Sequence, residues 1–468
     1  MDNRASMGII GTEYKKNFTA NQVWYQLIPN KPLLIDFNRK EHMLIVAKSG
    51  SGKTYLMGVL AEEITRASQN TGVIMLDMMG VLPTLRIANT DAGTLHAWNQ
   101  KMILHPIKPV ALTNVEIWVP KGDAKEFEPD QFDTAFSMKA NQLSYGTLCY
   151  CFKMDTLDPQ TNLFRKIKRI VKKQNHDYTI SDLIDGIHEN REDLGFKIQT
   201  ADALITKLDA LVELNLISSQ GIDLSEMVQE GKIVVLDLSM SERYTAKIIV
   251  NFLAEQLLKT RKKMKNKLLA AKSKKRLINR PTNYIPPVHL LIDEAHNFFP
   301  SKILKTYIKE GRNCGCKMTA ISQSPDLERS VYANITHLFV GQLTFKDDLA
   351  RVLNMIPVER EPKPFRAEVK DLDVGNFLYY DLNKKIEKKI RIRPRKSLHP
   401  ASTEMEDERK HFIETYQQHD NVIEFLKNKG NVLMKDIPSE MKAECAKLIK
   451  TGKITAKNEG GFTYVELC

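Results

Sequence analysis

Eight consecutive residues, Ala47-Lys48-Ser49-Gly50-Ser51-Gly52-Lys53-Thr54, have the types and spacing that grip a polyphosphate. They follow the Walker A pattern, with alanine at the first glycine position. Gly50 and Gly52 carry no Cβ, so backbone can approach phosphate closely. Amides of such a loop, and of the helix start behind it, hold an anion. Lys53 is then placed to neutralise the β- and γ-phosphates, and the Thr54 hydroxyl to bind magnesium. The alternative is a chance Gly/Ser turn before a helix. The flanks argue against it. Met43–Ala47 is a compact apolar run of strand type, and Tyr55–Arg66 repeats apolar residues at helical spacing.

A second cluster sits far along the chain. The apolar run from Val288 ends in Asp293-Glu294, the form of a Walker B strand. Asp293 is expected to hold magnesium through water, and Glu294 to polarise the attacking water. Standing alone, two acids after a strand also fit a solvated loop or a helix N-cap. A further strand, Lys317–Ser322, ends at Gln323, whose amide is expected near the γ-phosphate; the alternative is a plain turn. Arg312, in Glu310-Gly311-Arg312, is the candidate to stabilise transition-state charge, with Arg329 in reserve. A structural salt bridge is the competing role for either. After the last core strand too few residues remain for a second RecA-like domain plus a winged helix, so the arginine is expected from a neighbouring subunit rather than from a second ATPase domain. These groups together predict ATP and Mg2+ as ligands and ATP hydrolysis as the reaction.

The elements that must position them read as an α/β fold. Strand, helix and a second strand at Val73–Asp77 open a parallel sheet. Residues 1–42 read as a short lead-in, with strand character at Gln22–Leu27 and Leu33–Phe37. Residues 43–130 and 219–400 form a RecA-like P-loop NTPase core. Between them, 131–218 has apolar residues at three-and-four spacing and reads as a helical insertion. The sheet resumes at Lys232–Leu238, and a long amphipathic helix follows from about Glu242. Val288–Asp293, Met318–Ser322 and Leu338–Val340 read as core strands, Phe377–Leu382 as a late edge strand and Pro394–Glu406 as a linker. Residues 409–468 read as a small winged-helix domain. Its helices are Asn421–Lys429 and Met441–Lys450, with a turn at Ile437–Ser439 and a hairpin about Asn458–Gly461. Such a domain serves as a DNA contact or as a protein contact.

The chain has 468 residues, a formal net charge of +12 and a pI near 9.1, which suits a polyanionic partner. Leu258–Arg280 concentrates lysine and arginine, either as a solvated helix end or as a phosphate contact. No apolar stretch is long enough to span a bilayer, and Met1–Lys16 is polar, so no membrane association and a cytoplasmic location are expected. Six cysteines do not make a disulfide scaffold. Cys149-x-Cys151 and Cys314-x-Cys316 read as buried thiols rather than zinc ligands, since no histidine stands near at finger spacing.

In order along the chain, IVAKSGSGKT, VIMLDMMG, GIDLSEMVQEGKIVVLDLS, HLLIDEAHNFFP, EGRNCGCKMTAISQSP and IRIRPRKSLHP resemble the HerA/FtsK superfamily of DNA-pumping ATPases, nearer to HerA. They span about Met43 to Pro400. The resemblance implies a RecA-like core in a hexameric homo-oligomeric ring with double-stranded DNA in its pore, acting as a translocase or helicase. It implies the roles given above for Lys53, Asp293, Glu294 and Gln323, and it brings Asp77 near the site. It matches Lys388–Pro394 to a brace that crosses to the neighbouring subunit. Only about 46 residues precede Walker A, where HerA proteins carry a barrel of roughly a hundred, a departure that weighs against, without excluding, a nuclease partner docked at that end. The task of such a motor is end processing in repair, conjugative transfer or packaging of a viral genome. An ATP-switched regulator whose winged helix binds one DNA site is the competing reading.

Overall fold

The computed structural model describes residues 7–18, 23–155, 157–218, 221–273, 283–356 and 359–399; beyond these it describes 432–433, 437, 439–450, 454–459 and 462–467. Two compact units result: Met1–Glu128 with Phe132–His399, and Pro129–Gln131 with Pro400–Cys468.

In the first unit, short apolar runs become strands because each is long enough to cross a sheet and is covered on both faces. These are β3 (His42–Val46), β4 (Gly72–Asp77), β7 (Ile233–Asp237), β8 (Val288–Ile292), β9 (Cys316–Ser322) and β10 (Ile335–Val340). Every residue of these six strands is buried. With β1 (Met7–Phe18), β2 (Val23–Asp36), β5 (Val115–Pro120), β6 (Thr134–Phe136), β11 (Asn376–Asp381) and β12 (Ile386–Ile392) they form one twelve-stranded sheet. Its order is β2-β1-β12-β11-β10-β3-β9-β8-β4-β7-β5-β6. From β10 to β6 neighbouring strands run parallel, and from β10 to β2 they run antiparallel. The architecture is a mixed α/β fold built on a mainly parallel sheet.

Three sequence expectations change here. Residues 7–36 are not a lead-in apart from the core. They form a long hairpin whose first strand pairs with β12, Gly11 opposite Ile392. Phe377–Leu382 is not an edge: β11 lies between β10 and β12, and β2 ends the sheet. The segment 131–218 is not wholly helical, because Thr134–Phe136 is the terminal strand β6. Four helices then follow: Tyr145–Cys151, Pro159–Gln174, Ile180–Asn190 and Ile198–Glu213.

The helix after the P-loop, α1 (Lys53–Ala67), carries adjacent acids, Glu62 and Glu63, that are both buried. Their charges are tolerated because Arg393 enters the same space. Its Nη2 donates to Glu62 at 2.8 Å and to Glu63 at 2.9 Å, its Nε donates to the Ile9 carbonyl at 2.8 Å, and the guanidinium is fully buried. The amides of Lys396 and Ser397 also donate to Glu62, at 3.0 and 2.9 Å. Arg393 holds the Glu63 carboxyl down to about 2, although burial alone pushes it up. The stretch matched to an inter-subunit brace is therefore folded on its own subunit: β12 pairs with β1 and β11, and Arg393 is committed to α1. Residues 394–399 are likewise packed rather than a linker, with Arg395 and Ser397 buried; 400–406 lie outside the described residues.

In the second unit, β13 (Val432–Leu433), β14 (Ile454–Glu459) and β15 (Phe462–Leu467) form a three-stranded antiparallel sheet in the order β13-β15-β14. A helix, Ser439–Lys450, contributes Cys445 and Leu448 to a small core with Ile437, Ile454 and Val465. The expected helix Asn421–Lys429 lies outside the described residues.

Candidate nucleotide-binding site

In a parallel sheet the carboxyl ends of the strands, where the chain turns into loops, form the crevice that takes ligands. The sequence-predicted residues converge there. The P-loop leaves the carboxyl end of β3. Asp77 and Asp237 end β4 and β7, while Asp293 and Gln323 directly follow β8 and β9. The loop is tied to its neighbours by backbone bonds: Ala47 N–H to Ser322 O at 3.2 Å, Lys48 N–H to Gln342 O at 2.7 Å, and Gly375 N–H to Ser51 O at 3.1 Å. Gly50 and Gly52 have φ of 74° and 92°, the left-handed region that glycine enters without strain. The alanine at the first Walker position is accommodated by a glycine elsewhere. A Cβ on Gly341 would stand only 2.7 Å from that of Ala47, so the space for the Ala47 methyl comes from β10's exit.

At the base of the loop, Thr54 Oγ1 donates to Asp293 Oδ2 at 3.1 Å across 239 residues of sequence. Glu294 adopts φ 47°, ψ 43°, a left-handed conformation that costs a non-glycine residue on the order of 1 kcal/mol. Its carboxylate accepts a hydrogen bond from Gln323 Nε2 at 2.8 Å. The other carboxylate oxygen, Oε2, is buried, 3.3 Å from His296 Nδ1 and without hydrogen-bond geometry to it. Lys53 Nζ donates to the Lys48 carbonyl at 3.0 Å. Four of the predicted residues, Thr54, Asp293, Glu294 and Gln323, are thus linked in sequence around one point, with Lys53 facing the same acids.

Burial sets the electrostatics. It pushes the Asp293 carboxyl up to about 6, assisted by the Glu294 charge. It raises Asp77 well above the usual carboxylate range, assisted by Asp237. Asp77 accepts amide hydrogen bonds from Met79, Gly80 and Leu82 at 3.0, 2.9 and 2.7 Å, so it braces the turn after β4. Burial also lowers the Lys53 ammonium below its ordinary value, against the attraction of Glu294 and Asp293. Several acids held uncomfortably close, beside a hydroxyl and a lysine, suit a bound cation and a polyphosphate. Ser51 Oγ, in the loop itself, is buried without a hydrogen-bond partner. Among the described residues no three His, Cys, Asp or Glu side chains form a metal cage. Magnesium typically takes one or two protein ligands and completes its shell with phosphate and water. Thr54 and Asp293 would hold it, and it would supply charge neutralisation between the β- and γ-phosphates.

Arg312 lies elsewhere. Its Nε donates to the Lys40 carbonyl at 2.9 Å, just before β3 begins. It precedes β9, whose seven residues make up most of the chain between it and Gln323. At about 3.3 Å per residue it stands on the order of 20 Å from its own subunit's Gln323, toward the amino ends of the parallel strands. Arg329, at the start of the short helix Arg329–Tyr332, is exposed. The cysteines Cys149, Cys314 and Cys316 are buried. Two residues near the site escape a reading of the sequence. His296 adjoins Glu294, as above. Arg391 bonds the Val374 carbonyl and Asn376 in the turn that packs on the P-loop. A basic residue ending a half-polar strand carries no signal until its partners are known.

The family model described as the central domain of helicase HerA matches residues 27–257. No curated protein sequence matches the chain. Among solved structures it is similar to the bacterial conjugative coupling protein TrwB in its unbound form, at 14% identity over 84% of this chain and 96% of that one, with a TM-score of 0.51. The plasmid coupling protein TrwB in complex with ADP and Mg2+ gives 13%, 84%, 96% and 0.51. At such identity the likeness is one of fold.

Proposed function

We propose, on the premise that this chain belongs to the HerA/FtsK superfamily of P-loop ATPases through its HerA central domain, that it hydrolyses ATP with Mg2+ to drive double-stranded DNA through a homo-oligomeric ring, a hexamer. One observation carries the reading: the Thr54–Asp293 bond and the Glu294–Gln323 bond meet beside the P-loop at one crevice. In the proposed cycle Lys53 and the loop amides hold the phosphates. Asp293 and Thr54 hold magnesium, Glu294 orients the attacking water and Gln323 senses the γ-phosphate through its bond to Glu294. The fold it shares with a plasmid coupling protein solved in complex with ADP and Mg2+ supports the nucleotide and the metal, and the net charge of +12 suits DNA as the polyanionic partner. Residues 409–468 are read as a winged-helix domain, supported by the helix Ser439–Lys450 followed by the β14–β15 hairpin.

A motor spends ATP in proportion to the track it covers. At equal mass of DNA, ATPase rate is expected to rise with duplex length. A rate that is independent of length, with a preference for one sequence, instead marks an ATP-switched regulator. No DNA stimulation at all removes DNA from the reading.

Arg312 is assigned to the neighbouring subunit's site, because its own lies across the sheet. Glu294→Gln and Arg312→Ala are each expected to be inactive, for different reasons. Mixed in one ring, some interfaces pair an intact Glu294 with an intact Arg312, and part of the ATPase activity returns. Recovery vanishes on dilution below the assembly concentration. No recovery in rings shown to be mixed rejects Arg312, and Arg329 is then tested in the same way.

A further inference from the structure

Two helices away from the nucleotide site carry cations that the proposed cycle does not use. Pro159–Gln174 contains six lysines and arginines and no acid. Leu163, Phe164, Ile167 and Val171 are its buried stripe, while Lys166, Arg169, Lys172 and Lys173 are exposed. The long helix Arg243–Ser273 is acid-free from Gln256 onward and holds seven lysines and arginines there. One of these, Arg261, turns inward to the carbonyls of Cys314 and Ile285, at 2.9 and 2.6 Å, and Lys262 pairs with Glu310. Lys259, Lys263 and Lys267 are exposed.

The two helices are brought together by one turn. Gln256 Nε2 donates to the Gln142 carbonyl at 2.9 Å, and Lys168 Nζ donates to the next carbonyl, that of Leu143. The acid beside that turn, Glu255, accepts from the hydroxyls of Ser144 and Thr147, each at 2.6 Å. Burial brings the Lys168 ammonium down to about 8, and the charges of Lys259 and Lys172 add to the effect across the two helices. Among the described residues no ion pair involves Lys166, Arg169, Lys172, Lys173, Lys259 or Lys263. Solvated helical faces ordinarily mix signs along their length. Here the six cations just named repel one another without ion-paired acids to offset them, an arrangement that a polyanion stabilises.

We propose that the exposed cations of Pro159–Gln174 and of the second half of Arg243–Ser273 form a contact surface for the phosphate backbone of double-stranded DNA. The proposal rests on the DNA-motor reading above and places a contact on the helical insertion and on the long helix Arg243–Ser273, in residues other than 409–468. Lys259 to Lys267 covers about 12 Å of helix axis at 1.5 Å per residue. Duplex DNA presents a charge about every 1.7 Å along its axis, so several phosphates lie within reach. Most of these groups are lysine ammoniums, compact point charges that hold phosphate without reading sequence.

The test uses the full chain and a duplex of arbitrary sequence, with affinity measured across a range of salt. One variant combines Lys166→Glu, Arg169→Glu, Lys172→Glu and Lys173→Glu. A second combines Lys259→Glu, Lys263→Glu and Lys267→Glu. Each is expected to weaken binding at least about tenfold. Each should also flatten log affinity against log salt by roughly 0.9 for every phosphate that is no longer neutralised. ATPase activity without DNA should not change. Glutamine versions of both sets keep side-chain bulk and serve where charge reversal disturbs folding; a shallower slope is expected from them too. If the wild type binds duplex and the variants match its affinity and slope, this surface is excluded while the motor reading stands. If the wild type binds no DNA, both fall. Loss of polyglutamate binding with duplex binding intact assigns the surface to an acidic protein and overturns the proposal.

Discussion

Glu294→Gln is expected to lower ATP turnover by at least about a hundredfold while leaving ATP binding in place. The substitution keeps size and hydrogen-bonding reach but removes the carboxylate proposed to orient water, and loss of a positioned general base typically costs about 10²–10⁴ in rate. Its neighbours explain why binding survives. In the proposed cycle the phosphates meet the P-loop and Lys53, and magnesium would be held by Thr54 and Asp293, none of which is altered. Glu294 is also the second cause of the raised Asp293 carboxyl. Neutralising it therefore moves Asp293 back toward its ordinary value and favours the metal. Phosphate release measured beside equilibrium nucleotide binding separates the two effects. Unchanged turnover would place the catalytic acid elsewhere.

Lys53→Ala should act on both steps. The ammonium is the one cation facing Asp293 and Glu294 for which an attraction to both is described. Without it the site holds two buried acids and no fixed positive charge to receive the β- and γ-phosphates. Removing one preorganised charge-stabilising donor typically costs about 10²–10³ in rate, and weaker ATP binding adds to that. The side chain lies at the first position of α1, bonded only to the Lys48 carbonyl among the hydrogen bonds described, so the fold should persist. Far-ultraviolet circular dichroism together with ATPase assays decides it. A folded variant with wild-type activity contradicts the P-loop assignment.

Much of this site is legible in the sequence because its signals are local. The Walker A loop is eight contiguous residues, and each acid or amide after a strand follows directly on an apolar run. The elements that escape depend on distant partners. Residues 386–392, IEKKIRI, carry too much charge to read as an interior strand. They become one because β11 lies on one side and β1, some 380 residues earlier in sequence, lies on the other. Val115–Pro120 breaks its apolar run with Glu116, and Thr134–Phe136 is too short for periodicity to show. Glu62 and Glu63 look like a solvated helix face, and only Arg393, more than 300 residues later, reveals them as an interior charge cluster. Arg312 is legible as an arginine but not as a position: nothing local places it at the amino ends of the strands, away from the loops that carry the other site residues.

The strand order has a consequence for the chain as it is being made. β3, which launches the P-loop, is flanked by β9 and β10. Both are synthesised about 270 residues or more after it. When β3 leaves the ribosome it has no partner on either side, and its apolar residues stay exposed while α1, β4, β5 and β7 emerge. Long-range pairings of this kind form slowly and leave unpaired edges open to wrong contacts. A nascent chain halted before about residue 340 lacks one or both walls of the crevice and cannot be rescued by nucleotide, because the ligand has no formed cradle to bind. The ATP signature is among the first parts of this protein to be translated, and its binding site is among the last to exist.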